Sequence, residues 1–290
     1  MKNRDDFAVF ILTHGRPQNV MTYKSLKKQG YTGRIVLLVD DEDKHKDEYK
    51  KIYGKEVFIF SKQDAIDITD TGDNFNKRGS VVYVRNYSFV VAKKLGIKYF
   101  VQFDDDYTAF RYTFDNHKNY ITKQIKINNL DAVLSAMLDF YIESGVKTVA
   151  MSQGGDFIGG EGSNVAKQYK QGKLPRKAMN SFFCSTDRPF KFYGIFNDDV
   201  NSYLLNGSRG DLFVTYPRIR LEQADTQQND GALTELYLEC GTYVKSFYSV
   251  MMSPSCVTIG FMGVKHRRLH HKIHWKYAVP KIVSEEWKKR

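Results

Sequence analysis

Residues 97–107 have the sequence Ile97-Lys98-Tyr99-Phe100-Val101-Gln102-Phe103-Asp104-Asp105-Asp106-Tyr107. The apolar run predicts a buried β-strand, and this strand ends in three consecutive carboxylates. Alternate side chains of an extended chain share a face, so Asp104 and Asp106 should point one way and Asp105 the other. Neighbouring carboxylates repel unless a proton or a cation lies between them. The stretch therefore predicts either a solvated acidic turn or a divalent-metal site at the rim of a sheet.

The residues before this stretch alternate between apolar runs and helical patterns. Strands are predicted at 7–12, 34–39, 57–60 and 97–103, and helices at 20–29, 46–53 and 81–95. The polar segment 62–79 is predicted to be an exposed loop. Alternating strands and helices indicate an α/β fold with a parallel sheet, in which ligands bind at the carboxyl ends of the strands.

The second half of the chain has a different character. Its glycine-rich segment 152–162 has the wrong spacing for a phosphate-binding or dinucleotide-binding loop, and predicts a mobile loop that the basic stretch 167–177 continues. Strands are predicted at 107–113, 146–151, 179–184, 212–216 and 256–261, and helices at 130–144, from 197 and at 234–248.

Composition limits the class of protein. The chain has 290 residues, of which 42% are hydrophobic, enough for a real core. No apolar run approaches the roughly 18–20 residues of a membrane span, and the charged start lacks a secretory signal. Cys184, Cys240 and Cys256 are far apart, which predicts buried thiols in a reducing cytoplasm. The net charge of +11 favours a polyanionic partner, although a merely basic protein would have it too.

Three acidic positions could form one site. They are Asp40 with Asp41, Asp104 to Asp106, and Asp198 with Asp199, each at the end of a predicted strand or the start of a helix. Such oxygen ligands suit Mn²⁺ or Mg²⁺, which keep waters and accept a diphosphate. Arg85 lies in the preceding helix, where it could contact that diphosphate or make a structural ion pair.

The segment 266–274 concentrates histidine and arginine, with the sequence His-Arg-Arg-Leu-His-His-Lys-Ile-His. One histidine could complete the metal site, and Arg267 and Arg268 could neutralise phosphate oxygens. In a helix, His266 and His270 would lie one turn apart. The alternative is a basic nucleic-acid-binding segment. Neither a G-x-S-x-G motif nor a Cys/His pair supports hydrolysis through a nucleophile.

Several stretches together resemble the TET-associated glycosyltransferases of phages, which are related to the base J glucosyltransferases and have a GT-A fold. The stretches that carry this resemblance are Ile11-Leu12-Thr13-His14-Gly15-Arg16-Pro17, Val39-Asp40-Asp41-Glu42-Asp43, Val84-Arg85-Asn86, Phe103-Asp104-Asp105-Asp106-Tyr107, Asn197-Asp198-Asp199-Val200-Asn201 and residues 266–271. The D-x-D pattern alone is common, whereas its combination with His-Arg-Arg-Leu-His-His is much more specific.

The resemblance implies a Rossmann-like mixed sheet flanked by helices, and a metal-dependent transfer of sugar from a UDP-linked donor to hydroxymethylated pyrimidine in DNA. The expected base is 5-hydroxymethylcytosine. It also implies one GT-A-like domain over 1–290, with a nucleotide-sugar half at 1–106, an acceptor half at 107–265 and a basic segment at 266–290 that completes the site. The expected location is the cytoplasm, that of the host if a phage encodes the protein, with no membrane partner.

The same resemblance assigns roles to residues. The donor would contact Thr13, Gly15, Arg16, Asp40, Arg85, Asp104, Asp105, Arg267 and Arg268. The metal would be held by Asp104 and Asp106 with one histidine, for which His266, His270 and His271 are the candidates and His274 stays open as a fourth. Asp198 or Asp199 would be the general base of an inverting enzyme. This pair is usually Glu-Asp in the family, so it stays open which of the two carboxylates is the base. It also stays open whether the enzyme inverts or retains the anomeric configuration, and a retaining enzyme would not need this base.

The basic stretches supply candidate DNA contacts at Lys170, Lys173, Arg176, Lys177, Lys272 and Trp275. Three alternatives remain at this level: a GT-A enzyme acting on a glycan, lipid or protein; a non-catalytic DNA-binding protein; and a nucleotidyltransferase, which would release pyrophosphate. The first would ignore DNA, and the second would bind DNA without metal.

Overall fold

The computed structural model describes residues 4–73, 76–123, 125–223, 243–262 and 267–278. Their strands are β1 (Phe7–Leu12), β2 (Arg34–Asp40), β3 (Val57–Phe60), β4 (Tyr99–Asp104), β5 (Tyr107–Tyr112), β6 (Thr148–Gln153), β7 (Ser181–Ser185), β8 (Phe213–Gln223), β9 (Val257–Met262) and β10 (Arg268–Ile273). Their α-helices are α1 (Met21–Lys28), α2 (Lys46–Tyr53), α3 (Lys62–Asp67), α4 (Val81–Lys94), α5 (Leu130–Ser144), α6 (Asn164–Lys170), α7 (Asp198–Ser208), α8 (243–252) and α9 (Trp275–Ala278).

A five-stranded sheet with the order β3-β2-β1-β4-β7 forms the centre of the fold. The first four strands are parallel, and β7 runs antiparallel to β4. Continuous apolar strands such as β1 suit this position, because both faces of the sheet are covered. Phe10 stacks on Phe100 on one face, whereas Phe103 packs on Tyr107 on the other. The predicted α/β class, with a mixed sheet flanked by helices, is confirmed.

The register of the sheet brings three strand ends to one edge. Leu12 of β1 lies opposite Leu38 of β2 and opposite Asp104 of β4. The residues that follow β1, the last residue of β2 and the acidic end of β4 are therefore neighbours in space. This edge is the place at which open α/β sheets bind ligands.

A smaller sheet with the order β5-β8-β6 lies beside the central sheet. β5 is an edge strand, as predicted, and β8 extends to Gln223, well beyond the predicted end at 216. Its length carries Gln223 back towards the acidic end of β4. The hairpin of β9 and β10 is a separate antiparallel pair.

Two local predictions were wrong. The segment 62–79 contains α3, which begins because the Ser61 hydroxyl caps the Asp64 N–H and which buries Lys62 and Ala65. The basic stretch that begins at 167 is not a continuation of a loop, since its first turn belongs to α6, capped by Ser163. A third point was left open by the sequence: residues 268–273 form the strand β10, so the one-turn spacing that a helix would give these histidines does not apply.

Two further predictions fall partly outside the described residues. The helix predicted at 234–248 is observed at 243–252, and its earlier part lies outside the described chain. Cys184 and Cys256 are buried free thiols, as predicted, whereas Cys240 lies outside the described chain. None of the described helices has the length and apolarity required to cross a membrane.

Candidate active site

The acidic end of β4 does not stay extended through all three carboxylates. The strand ends at Asp104, and Asp105 and Asp106 form a turn. Asp105 nevertheless points into the protein and is 4% exposed, whereas Asp104 and Asp106 are less buried. Its Oδ2 accepts a hydrogen bond of 2.6 Å from Thr13 Oγ1 and lies 3.1 Å from Arg16 Nε. Asp105 therefore braces the segment that follows β1, while Asp104 and Asp106 keep partial access to solvent.

Tyr49 of α2 completes this bracing network. Its hydroxyl lies 2.8 Å from Thr13 Oγ1 and accepts a hydrogen bond of 2.9 Å from the backbone N–H of Arg16. Because Thr13 donates to Asp105, its oxygen is free to accept the Tyr49 proton. Burial and the neighbouring carboxylate together raise the pKa of Asp105 to about 6. The sequence prediction missed Tyr49, since a tyrosine in a charged helix gives no signal of such a role.

Asp40, the last residue of β2, is buried beside two cations. Its Oδ2 lies 2.9 Å from His14 Nδ1 and 3.6 Å from Lys62 Nζ. Burial opposes the charge, but these two neighbours hold the pKa of Asp40 below its usual value. Asp40 Oδ1 is buried and accepts no hydrogen bond from the described residues. A buried acceptor without a donor is costly, so this atom is suited to the N–H group of a bound base.

Gly15 joins this part of the site through the backbone. Its N–H donates a 2.7 Å hydrogen bond to Asp43 Oδ2, and its φ of +75° requires a conformation that glycine adopts without strain. The turn after β1 is thereby fixed against the segment after β2. Lys62 and Asp43 are further residues that the sequence prediction missed, because Lys62 lies in the supposed loop.

The pairing of His14 with Asp40 leads to a pH prediction. The hydrogen bond that the His14 ring donates to Asp40 raises the pKa of His14 above its ordinary 6.5. The ion pair thus stabilises the fold below pH 6.5 and is lost as pH rises through the higher folded pKa. We expect Asp40→Asn to lower the pKa of His14, as measured by NMR titration of the ring. An unchanged His14 titration in Asp40→Asn, with exposed His117 as the internal reference, would contradict the assignment.

Arg85 of α4 connects the acidic end of β4 to the start of α7. Its side chain is 3% exposed, with Nη2 2.8 Å from Asp104 Oδ1 and Nε 2.9 Å from Asp198 Oδ2. Its guanidinium also lies over the rings of Phe182 and Phe192, 5.0 Å and 5.7 Å from their centroids. Arg85 Nη1 and Nε are both buried without a hydrogen-bond acceptor in good geometry among the described residues, and the same holds for Asp198 Oδ2. Arg85 is therefore linked to Asp104 by a hydrogen bond and to Asp198 by an ion pair, and its Nη1 group remains unused.

The electrostatics of this link are those of a desolvated cluster. Burial raises the pKa of Asp104 to about 6, against the opposing charge of Arg85. Burial likewise raises the pKa of Asp198 to about 6, again opposed by Arg85. The two carboxylates in turn raise the pKa of Arg85, although burial opposes its charge. Arg85 therefore stays charged, and a second cation near Asp104 would favour the ionised carboxylate further.

Asp198 and Asp199 form the first turn of α7, as predicted. Asn197 precedes them in the left-handed conformation, with a φ of 51°. Asp199 Oδ1 accepts a 2.7 Å hydrogen bond from the N–H of Val200, and burial raises the pKa of Asp199. The two carboxylates thus differ in their partners, because Asp198 faces Arg85 whereas Asp199 is held by its own helix.

The histidine segment reaches this site through β10. His271 Nδ1 lies 3.5 Å from the side-chain nitrogen of Asn197, and burial lowers the pKa of His271 to about 4. The ring of His270 lies against that of His271, with 4.2 Å between centroids. His274 is occupied elsewhere, 2.7 Å from Thr258 Oγ1. His266 lies outside the described residues.

The predicted metal ligands are not assembled into one cluster. Among the described residues, no three His, Cys, Asp or Glu side chains lie close enough together to hold a metal ion. Asp104 and Asp106 remain as two partly exposed hard oxygen donors beside the site. Two carboxylates fit Mn²⁺ or Mg²⁺, which take their other ligands from water and substrate phosphate. That one histidine of the C-terminal segment completes this site stays a prediction, and His266 lies outside the described residues.

Two further side chains, Gln223 and Asn180, lie beside Asp106 and were missed by the sequence prediction. Gln223 at the end of β8 reaches Asp106 Oδ1 with its amide nitrogen at 3.5 Å, and its amide oxygen accepts a 2.7 Å hydrogen bond from Asn180. Only the second distance is a full hydrogen bond. No local pattern could have revealed this contact, because Gln223 and Asp106 are far apart in sequence.

The predicted DNA and phosphate contacts are spread over several surfaces. Lys170 pairs with Glu161, and Lys177 pairs with Asp156, so both charges are already partly neutralised. Lys173 and Lys272 are exposed. Arg176 and Trp275 line one cleft. Arg267 lies over the ring of Phe261 and is exposed, as is Arg268.

Comparison with known families gives a match over most of the chain. The model of a family described as TET-Associated Glycosyltransferase matches residues 7–232. The matched range contains the edge of the central sheet, Arg85 and the acidic pair of α7. A comparison with curated proteins finds no match.

Solved structures give more distant likenesses. Glucosyl-3-phosphoglycerate synthase from Mycobacterium tuberculosis, solved with Mn²⁺, UDP and phosphoglyceric acid, is 11% identical over 92% of this chain and 86% of its own, with a TM-score of 0.47. TarS 1–349 from S. aureus, solved with UDP-GlcNAc, is 12% identical over 79% and 61%, with a TM-score of 0.41. A mannosyltransferase from Pyrobaculum calidifontis, solved with GDP-Man and Mn²⁺, is 11% identical over 77% and 58%, with a TM-score of 0.45.

Proposed function

The chain belongs to the TET-associated glycosyltransferase family, and we propose that it transfers a sugar from a UDP-linked donor to a hydroxymethylated pyrimidine in DNA, with 5-hydroxymethylcytosine as the expected base. The observation that carries this proposal is the buried Arg85, which contacts Asp104 at the donor edge and Asp198 at the start of α7. This arginine holds a diphosphate-binding edge and an acidic pair in one fixed arrangement. Sugar transfer needs both of these features together.

The donor nucleoside binds between the ends of β1 and β2. The free Oδ1 of Asp40 accepts the N–H of the base, and the braced segment at Thr13 and Arg16 forms the wall beside it. The network through Asp105 and Tyr49 keeps that wall rigid in the absence of a donor. Rigid surroundings reduce the entropy lost on binding.

The diphosphate binds at the end of β4. Asp104 and Asp106 would hold Mn²⁺ or Mg²⁺, which when bound supplies positive charge to the leaving diphosphate. The unused Nη1 of Arg85 lies in the same cluster and is available to a phosphate or sugar oxygen. Asp106 has few partners of its own, which leaves it available as a ligand.

The acceptor hydroxyl binds beside α7. Asp198 is occupied by Arg85, so Asp199 is the proposed general base, taking the proton as the hydroxyl oxygen attacks the anomeric carbon. Neutral His271, beside Asn197, borders this acceptor side. The division into a donor half at 1–106, an acceptor half at 107–265 and a completing basic segment is part of the same proposal.

DNA as the acceptor is supported by charge. The net charge of +11 suits a polyanion, and Lys173 and Lys272 are exposed cations of the acceptor half and the basic segment. An enzyme can reach the hydroxymethyl group of a base in a duplex in one of two ways. It can flip the base out of the stack, or it can approach the group from the major groove. The buried free thiols fit a reducing cytoplasm, where nucleotide sugars and DNA are both present.

A panel of donors and acceptors tests the proposal. The protein is incubated with Mn²⁺, one of several nucleotide sugars, and duplexes that contain cytosine, 5-hydroxymethylcytosine or 5-hydroxymethyluracil. The nucleosides are then weighed by mass spectrometry, and a mass increase of one sugar on a hydroxymethylated base only is the expected result. NMR of the product defines the anomeric configuration, and inversion would support Asp199 as the base.

The alternatives give different results in the same panel. A glycan, lipid or protein acceptor predicts donor consumption without any change in the DNA. A nucleotidyltransferase predicts release of pyrophosphate instead of UDP. A non-catalytic DNA-binding protein predicts no consumption of donor at all. Any of these results would overturn the proposed reaction.

A further inference from the structure

Arg176 lies in a cleft, and no residue of the described chain pairs with its charge. The cleft is shallow, with an enclosed volume of only about 10 Å³, and is lined by Arg176, Tyr203, Asp211 and Trp275, among others, so a ligand would lie across its mouth. Burial alone lowers the pKa of Arg176, and no described residue pairs with its guanidinium. Asp211 is engaged by Lys147, 3.4 Å away. Arg176 is only half-buried, so its guanidinium can still reach an anion that binds at the mouth of the cleft.

Trp275 gives the same cleft a flat aromatic surface. Its indole stacks on Tyr203 with 5.7 Å between ring centroids and an angle of 18°, yet 40% of the residue stays exposed. Lys272 and Lys276, close to it in sequence, are exposed cations. An aromatic ring that is already held in place is a favourable platform for a base, since stacking then costs little conformational entropy.

The position of Tyr203 relates the cleft to the acidic pair. Tyr203 follows Asp199 by four residues in α7, so the two side chains lie on one face of the helix, about 6 Å apart along its axis. Nucleotides of one B-DNA strand are about 3.4 Å apart along the duplex axis. A strand whose target base lies at Asp199 therefore reaches the cleft within about two nucleotides.

We propose that the cleft of Arg176, Tyr203 and Trp275 binds one nucleotide of the acceptor strand close to the modified base. The phosphate contacts Arg176, and the base stacks on the exposed part of Trp275. This inference rests on DNA being the acceptor, and it places the contact outside the donor site. It also explains why Arg176 is kept in a partly buried position where no described residue pairs with its charge.

Binding of a labelled oligonucleotide without donor or metal tests the proposal, with fluorescence anisotropy as the measurement. Trp275→Ala is expected to weaken binding roughly fivefold to 150-fold, the range for loss of one stacked base, while Trp275→Phe keeps most of the affinity. Arg176→Met is expected to reduce the slope of log K against log salt by about 0.7–0.9, which corresponds to one phosphate.

Matched variants separate this contact from general effects. Arg34→Met removes an exposed arginine at the amino end of β2, and Phe140→Ala removes a partly exposed ring on α5. The Phe140 variant should keep the affinity for DNA, and the Arg34 variant should keep the salt slope. Arg176→Met should melt at or above the wild-type temperature, because the guanidinium has no partner to lose among the described residues. Lower stability in Arg176→Met would overturn the proposal and indicate a structural role.

UDP binding by calorimetry distinguishes the two possible nucleotide ligands. The cleft variants should bind UDP as tightly as the wild type, and parallel loss of UDP and DNA affinity would overturn the proposal. Normal DNA affinity and salt slope in both Arg176→Met and Trp275→Ala would also overturn it, even if the wild type modifies DNA. Failure of the wild type to modify any DNA would overturn the proposed function instead, and is detected in the separate donor panel.

Discussion

Arg85→Met is expected to lower the free energy of unfolding by about 3–5 kcal/mol, because it removes the cation from the buried Asp198 and from the partly exposed Asp104. For a chain of this size the melting temperature should fall by roughly 6–15 °C. Methionine preserves most of the side-chain volume against Phe182 and Phe192, so the loss reports on charge more than on packing. Thermal unfolding followed by circular dichroism measures it.

The pH dependence of this loss has a defined sign. Asp104 and Asp198 have folded pKa values of about 6, above the ordinary 3.8, so their ionisation destabilises the fold as pH rises through that interval. Without Arg85 the pKa values of Asp104 and Asp198 in the folded protein rise further. The pH range over which their ionisation destabilises the fold then extends to higher pH. The difference in melting temperature between wild type and Arg85→Met should therefore be larger at pH 8 than at pH 5.

Arg78→Met is the matched control for Arg85→Met. Arg78 pairs with Glu42, but its side chain is 44% exposed. Exposed ion pairs contribute roughly 0–1 kcal/mol, so this variant should melt close to the wild-type temperature at both pH values. Equal losses in the two variants would show that Arg85 is not the buried link between the two carboxylates.

The central sheet could be predicted because its signal is local. Strands buried on both faces are continuous apolar runs, and β1, β2 and β4 have this pattern almost without interruption. The acidic site was found by the same local signal, because the three carboxylates directly follow the apolar run of β4. Asp105 was expected to oppose Asp104 and Asp106, and it does point into the protein. The reason is its contact with Thr13 and Arg16 rather than continued extension.

The features that were missed depend on contacts between distant parts of the chain. The sequence of 268–273 is charged and rich in histidine and does not by itself indicate a strand. The segment forms a strand because it pairs with β9. Arg85 offered two readings, a diphosphate contact or an ion pair. The structure shows the ion pair, and leaves Nη1 for the other role. Lys62 and Gln223 reach the site from segments whose own sequences indicate nothing about it.

Asp106→Ala is expected to reduce sugar transfer at least about a thousandfold, because metal ligation contributes several kcal/mol to the stabilisation of charge in the transition state. The fold should remain, since the 3.5 Å contact with Gln223 is the one polar side-chain contact of Asp106 within the described part of the chain, and Asp106 takes no part in the pairing of Arg85 with Asp104 and Asp198. DNA affinity measured without metal should also remain. The rate is measured with saturating donor and acceptor over a series of Mn²⁺ concentrations.

Asp139→Ala is the control for Asp106→Ala, because Asp139 is a carboxylate on α5 that is 59% exposed and pairs only at 3.5 Å with Arg4. It should transfer sugar at the wild-type rate. The affinity for Mn²⁺ can be followed separately by calorimetry in the presence of UDP, where Asp106→Ala should bind the metal at least tenfold more weakly. Wild-type Mn²⁺ affinity in Asp106→Ala together with full turnover would exclude Asp106 as a ligand. Lost turnover with wild-type Mn²⁺ affinity would instead make Asp106 a contact to the donor sugar, with Asp104 as the remaining carboxylate for the metal.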